Sequence, residues 1–312
     1  MPGIGIINNP RSKQNRRNPG RIRKLGYILG EKGDSLTTQS MEQIDDCIEK
    51  FKKQRIEILG INGGDGSNHI AIDKLIEIYG KTNTPLPMIA FLRGGTLNTI
   101  ARGFNIFGNP ESILHNISDK YGQGLKFNTV QAKLLTINGR HCFIFGNGLI
   151  ANFMHTYYTT GNPSPAHGVA TLFRGIASTF SGTQLAKDWF KKIQARVTVD
   201  GNELPITQFT AILSATMKEI GVGFQPFYRA FERPDKFHVL FYTCTPLQFA
   251  RELPYIFMAK PIHDYMGRET LAEKVVIDAS EPFHYTQDGE MYRWEGGPLE
   301  IGLGPHLTLI IN

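Results

Sequence analysis

Hydrophobic and polar residues are laid out along this chain in two textures that change near Gly122. Before that point, short apolar runs at Ile4 to Ile7, Ile56 to Ile61 and Pro87 to Leu92 read as buried strands. Between them apolar residues recur at helical spacing, as in Ile22, Leu25 and Leu29, in Met41, Ile44, Ile48 and Phe51, and in Ile72, Leu75, Ile76 and Tyr79. Buried strands alternating with amphipathic helices predict an α/β domain built on a parallel sheet.

Beyond Gly122 strand-like runs follow one another at Phe127 to Ile137, Cys142 to Phe145, Arg196 to Val199, Phe209 to Ser214, Phe237 to Tyr242, Lys274 to Ile277 and His306 to Ile311. Asn138-Gly139, Asp200-Gly201 and Asp288-Gly289 are two-residue hairpin signals. This pattern predicts an antiparallel β domain with helical insertions at Gly148 to Tyr158, Ala166 to Phe190 and Arg251 to Lys260. The apolar residues of these insertions read either as core packing or as the wall of an acyl-chain groove. Two domains are expected, residues 1–124 and 125–312.

The chemistry gathers at strand ends. Gly63-Gly64-Asp65-Gly66-Ser67 follows one strand and opens a helix, an arrangement that lets the backbone and the positive end of the helix approach an anion. Asp65 is repelled by a phosphate unless a cation intervenes, so the loop points to Mg²⁺ with a nucleotide. A second glycine turn, Arg93-Gly94-Gly95-Thr96-Leu97-Asn98, follows the next strand, and Thr96 and Asn98 offer donors to phosphate or ribose. A plain reading of either turn is a helix cap. Neither the dinucleotide fingerprint nor the P-loop is present, because His69 and Leu75 stand where each requires glycine.

Composition adds boundaries. The formal charge is +6, enough for an acidic ligand or membrane surface and not a demand for nucleic acid. Seven basic residues and no acidic one lie between Arg11 and Lys24, a run that reads as a solvated loop or as a contact for anionic membrane. Three scattered cysteines and the lack of a signal-peptide pattern predict a cytoplasmic location, with any membrane contact peripheral.

In this order the elements resemble the diacylglycerol kinase catalytic-domain family, which includes bacterial lipid kinases, sphingosine kinases and ceramide kinases. Asn9-Pro10-Arg11-Ser12, Gly63 to Ser67, Gly95 to Arg102 and Asp288-Gly289-Glu290 match four of its motifs. The resemblance implies a nucleotide in a cleft between a Rossmann-like domain and a β-sandwich. It makes Asn9, Ser12, Gly63, Gly64, Gly66, Ser67, Gly95, Thr96 and Asn98 nucleotide contacts, Asp65 the Mg²⁺ ligand, and Glu290 the base; Asp65 is the alternative carboxylate for that last role, alone or shared. The expected activity is ATP-dependent phosphorylation of a diacylglycerol-like or sphingoid lipid. An NAD kinase and a non-catalytic lipid- or nucleotide-binding module are the rival readings. Thr99-Ile100 replaces the family's Asp-Phe, and Pro234 to Val239 replaces an Asp-Asp-Gly segment. The second change removes the support for a structural metal.

Overall fold

The expected strands assemble around asparagine-ended apolar runs. The computed structural model describes residues 3–40, 42–160, 164–181, 183–221 and 223–311, which divide into two units. The first holds residues up to Ala132 and from Pro305 onward, and the second runs from Lys133 to Gly304.

The first unit runs β1 (Ile4–Asn8), α1 (Lys13–Arg17), α2 (Gly20–Leu29), β2 (Gly33–Thr37), α3 (Glu42–Gln54), β3 (Ile58–Asn62), α4 (Asp65–Gly80), β4 (Met88–Phe91), α5 (Thr99–Gly103) and α6 (Pro110–Gly122). Its sheet is parallel in the order β2-β1-β3-β4. Every residue of β1 and β3 is buried, as expected of strands covered on both faces. The chain steps from β1 outward to β2 and then across to β3, so the order reverses between β1 and β3, and ligands of open α/β sheets sit at the carboxyl ends of such a pair.

The second unit takes up β5 (Thr129–Ile137), β6 (Arg140–Cys142), β7 (Ile144–Asn147), α7 (Leu149–Thr159), α8 (Pro165–Ser181), α9 (Gln184–Trp189), β8 (Ile193–Val199), β9 (Asn202–Glu203), β10 (Gln208–Phe209) and β11 (Ala211–Ala215). It continues with β12 (Phe237–Tyr242), α10 (Pro246–Phe257), β13 (Gly267–Ala272), β14 (Lys274–Ala279), β15 (Phe283–Gln287), β16 (Glu290–Trp294) and β17 (Pro298–Ile310). Strands β5 and β17 have residues in both units, and Leu309 of β17 pairs in parallel with Ile89 of β4.

In the second unit a six-stranded antiparallel sheet, β13-β12-β11-β7-β15-β16, shares a core with the strands β8, β14 and β17. Phe145, Phe237, Val239 and Phe241 meet Val197, Val275, Ile277 and Leu299 there, all of them at most 1% exposed. Side chains of this size each contribute about 1.5–3 kcal/mol on burial. The opposite face of the six-stranded sheet carries Leu213, Leu240 and Tyr242, and it packs beneath α7, α8, α9 and α10.

All three hairpin signals form hairpins with both turn residues at positive φ, for example 50° at Asp288 and 95° at Gly289. In each, the first turn residue also reaches a neighbouring strand: Asn138 Oδ1 accepts from the Glu300 amide at 2.8 Å, and Asp200 Oδ1 accepts from the amides of Glu273 and Lys274 at 2.9 Å.

Three expectations change. The basic run is helical, because Asn15 is buried and anchors α1 while Arg21 on α2 pairs with Glu111 at 3.0 Å. The insertion at 166–190 is two helices, α8 and α9. The last strand begins at Pro298 rather than His306, since pairing with β14 carries it through residues of low strand propensity.

Candidate functional site

Polar residues close the carboxyl ends of β1 and β3. Asn62 Nδ2 donates to Asn8 Oδ1 at 2.8 Å, and Asn8 Nδ2 donates to Ser35 Oγ at 2.9 Å and to the Leu36 carbonyl at 3.1 Å. Asn8 and Asn62 are fully buried, so these bonds satisfy groups that water cannot reach and stitch three strand ends together.

The first loop is tied to the second through its side chains. Asn9 Nδ2 donates to Ser67 Oγ at 2.8 Å, which leaves the Ser67 hydroxyl hydrogen for another acceptor. Ser12 Oγ donates to the Asn9 carbonyl at 2.9 Å. Asn15, 1% exposed, donates to the carbonyls of Asn9 and Asn62 at 2.9 and 3.1 Å and so docks α1 on both strand ends.

The glycines bring the second and third loops into backbone contact. A Cβ on Gly95 would lie 2.3 Å from the Gly64 Cα, and one on Gly94 would lie 2.5 Å from Asn62 Oδ1. A Cβ on Gly63 would fall 2.2 Å from the Ser67 Cβ. Gly64 differs, since a Cβ there meets only the Gly95 Cα, at 3.4 Å.

Helix α4 then starts at Asp65 with Gly64 as its N-cap, which has no side chain to bond the first-turn amides. Amides left open at a helix start suit an anion. Asp65 Oδ1 accepts from the Ile100 amide at 3.2 Å, so its carboxylate bridges the second loop to the start of α5. Gly66 and Ser67 lie in the first turn of α4, half-buried. Asn98 is 2% exposed at φ 48°, and its amide closes a ring with Gly95, accepting from the Gly95 N–H at 3.1 Å and donating to its carbonyl at 3.2 Å. Asn98 therefore shapes the turn, while Thr96 is exposed. All ten expected residues of this unit lie at the carboxyl edge of the parallel sheet, and the hydrogen bonds above join its three loops.

Glu290 belongs to the second unit. It is the first residue of β16, half-buried, and directly follows the turn. Asp288 Oδ1 accepts from the amides of Phe143 and Ile144, both at 2.9 Å, and the Asp288 N–H returns a bond to the Ile144 carbonyl at 3.0 Å. On the other side Tyr158 of α7 donates to the Gly289 carbonyl at 3.1 Å. The hairpin carrying Glu290 is held from β7 and from α7, the rigid support a positioned carboxylate needs.

The segment from residue 230 to 236 is organised by a lysine. Lys133 is 8% exposed, and its Nζ donates to the carbonyls of Arg233 at 2.6 Å, Lys236 at 2.7 Å and Ala230 at 3.4 Å. Three acceptors require three hydrogens, which only the ammonium form supplies. Burial pushes the Lys133 pKa down, and the charge of Asp235 opposes that shift. Among the described residues no group of three or more His, Cys, Asp or Glu is placed to hold a metal. A shallow hollow of about 780 Å³ in this unit, lined by Asn138, Asp235, Glu273, Lys274 and Glu300 among others, contains none of the expected site residues.

Asn8, Asn15, Asn62, Tyr158 and Lys133 are missing from the sequence-based list. Asparagine at the end of an apolar run was a signal for two of them. Lys133 inside a strand and Tyr158 on an apolar helix carried none.

Compared with known proteins, residues 4–129 match the family model for the diacylglycerol kinase catalytic domain. Among solved structures, a diacylglycerol kinase from Bacillus anthracis str. Sterne is similar at 15% identity and TM-score 0.68, over 99% of this chain and 96% of that one. Two further structures from the same strain, each assigned provisionally as a diacylglycerol kinase, are 16% identical with TM-scores of 0.73 and 0.71. They cover 99% of this chain and 96% and 97% of theirs, and at such identities the likeness is one of fold. No curated protein matches the chain in sequence.

Proposed function

Residues 4–129 belong to the diacylglycerol kinase catalytic domain family, and from that premise we propose that the chain transfers the γ-phosphoryl group of ATP to a hydroxyl of a diacylglycerol-like or sphingoid lipid. One observation carries the reading: three loops converge at the β1/β3 reversal around an uncapped helix start, with a single carboxylate among them.

Each residue then has a task. The first-turn amides of α4 and the Ser67 hydroxyl bind phosphate oxygens, and Asn9 orients that hydroxyl. Gly64 and Gly95 let the backbone come close, while Asn98 and Ser12 hold their loops in shape. Asp65 would hold Mg²⁺, to which its carboxylate beside open amides is suited, and the bound ion supplies charge neutralisation. Glu290 takes the proton from the lipid hydroxyl as the oxygen–phosphorus bond forms and the bond to the β-phosphate oxygen breaks, releasing ADP. Such general-base help is worth about 10²- to 10⁴-fold. Phosphoryl transfer otherwise depends on position and electrostatics, the two things a set of interlocked backbone loops provides.

The test is transfer of labelled γ-phosphate from ATP to a panel of diacylglycerol, monoacylglycerol, sphingosine, ceramide and NAD. Label on a lipid supports the proposal, and label on NAD alone would replace it with an NAD kinase. Glu290→Gln is expected to lower lipid turnover by about 10²- to 10⁴-fold with ATP affinity unchanged. Wild-type turnover in that variant would remove Glu290 from the chemistry.

A further inference from the structure

The helical layer of the second unit has an outer side that is unusual for a protein surface. Helices α8 and α10 pack against each other and turn Leu172, Ile176, Phe249, Leu253 and Ile256 toward the sheet. A surface helix ordinarily presents charged residues on its other face. Here the outward positions of α8 are Ala166, Val169, Ala170, Phe173, Arg174 and Ala177, and Phe173 is 64% exposed. On α10 they are Leu247, Arg251, Pro254, Tyr255 and Phe257, followed at once by Met258, itself 54% exposed.

The charges on these stripes have one sign. Arg174 and Arg251 are exposed, and Lys260 follows with its Nζ 5.9 Å from the centre of the Tyr255 ring. Helix α8 contains no carboxylate. The only one in α10, Glu252, is fully buried, accepting from the His263 N–H at 3.1 Å and from Tyr265 at 2.6 Å. The outer face is therefore apolar and cationic, and its lone carboxylate is withdrawn to fix the turn behind it.

We propose that this α8–α10 face docks on an anionic lipid bilayer. Phe173, Tyr255 and Met258 would enter the boundary between headgroups and acyl chains, and Arg174, Arg251 and Lys260 would meet lipid phosphates, the division of labour of an interfacial helix. No described helix is long and apolar enough to cross a membrane, so contact through these helices lies in the interface plane. A second copy of the chain is a poor occupant, because a two-fold contact would set like charges against one another. The proposal gives the lipid-kinase reading its membrane partner and rests on that reading for its purpose; the binding itself requires no turnover.

The experiment is vesicle flotation of the full chain with phosphatidylcholine alone and with phosphatidylcholine plus phosphatidylserine. Binding is expected to favour the mixed vesicles. Each basic residue near such a surface contributes about 1 kcal/mol, or about fivefold, so Arg174→Gln with Arg251→Gln should weaken binding to mixed vesicles by roughly 25-fold. Phe173→Ser with Tyr255→Ser should weaken binding to both vesicle types at unchanged melting temperature. The comparison pair Arg16→Gln with Arg17→Gln, on exposed positions of α1, separates this face from the basic run. Loss of binding in that pair alone, wild-type binding by the α8–α10 variants, or no vesicle binding by the wild-type chain would overturn the proposal. So would a change of oligomeric state in place of vesicle binding. Phosphorylation of a water-soluble short-chain diacylglycerol by wild-type protein tests the kinase reading separately, so its failure alongside intact flotation sinks that reading and leaves the docking face standing.

Discussion

Substituting Gly95 and Gly64 one at a time separates what the fold needs from what a ligand needs. A Cβ on Gly95 would lie 2.3 Å from the Gly64 Cα and 3.2 Å from its nitrogen. Carbons in contact sit at about 3.5 Å, so the two loops must part by roughly 1 Å. Overpacking of that kind costs about 1–3 kcal/mol of stability, and a 1 Å displacement of positioning groups costs about 10²-fold in turnover. A Cβ on Gly64 instead finds ordinary contact at 3.4 Å, and its backbone, at φ −93° and ψ −172°, is open to alanine. Gly64→Ala should keep the wild-type melting temperature. It should still lose ATP affinity, because the new methyl takes the space that a phosphate approaching the loop would use. Gly80→Ala, where a Cβ meets nothing within 4 Å, is the control and should be neutral or slightly stabilising. Calorimetric ATP titration and thermal melting on the same proteins read both effects. Normal ATP affinity in Gly64→Ala would show that this loop does not hold phosphate, and a wild-type melting temperature in Gly95→Ala would refute the packing argument.

Asp65→Asn keeps an acceptor for the Ile100 amide and removes the charge, so the protein should still fold while Mg²⁺-dependent turnover collapses; an unchanged Mg²⁺ titration would take Asp65 out of the metal site. Lys133→Met deprives three carbonyls, that of Ala230 buried, of the ammonium and should cost about 1–3 kcal/mol, seen in urea unfolding, and a cost near zero would mean that water replaces the ammonium. Burial raises the Asp200 carboxyl, but the amides of Lys274 and Glu273 and the Lys236 ammonium outweigh it and hold the group below its ordinary value. A carboxyl depressed in the folded state contributes stability above its unfolded pKa of about 3.9, and that contribution disappears as pH falls through the lower folded value. Asp200→Asn should therefore flatten part of the acid limb of the melting-temperature profile, and an unaltered limb would count against the pinning role.

Much of this architecture was readable because local and long-range signals agree. The fully apolar runs became central parallel strands, and each two-residue turn with glycine second became a hairpin. The pattern failed where neighbours rather than composition decide. Strand β2, Gly-Asp-Ser-Leu-Thr, has almost no apolar content and exists because β1 offers it an edge. Helix α6 lies outside the expected elements although Asn109-Pro110 ahead of Ile113, Leu114 and Ile117 marks its start, with a reciprocal cap between Asn109 and Ser112. At the site, the glycine loops announced themselves, but their reason differs in part: three of the glycines make room for neighbouring loop atoms. Tyr158 on the Gly289 carbonyl joins residues 131 positions apart, and spacing along a chain contains no trace of such a contact.

The ammonium of Lys133 gives the 230–236 segment a cation that belongs to the chain itself. A cation on a side chain is present at one per chain from synthesis onward, cannot be stripped by a chelator, and is not exchanged when the surrounding salt changes. Chelation is therefore expected to leave the order of that segment in place, because its three carbonyls keep the ammonium that they bond.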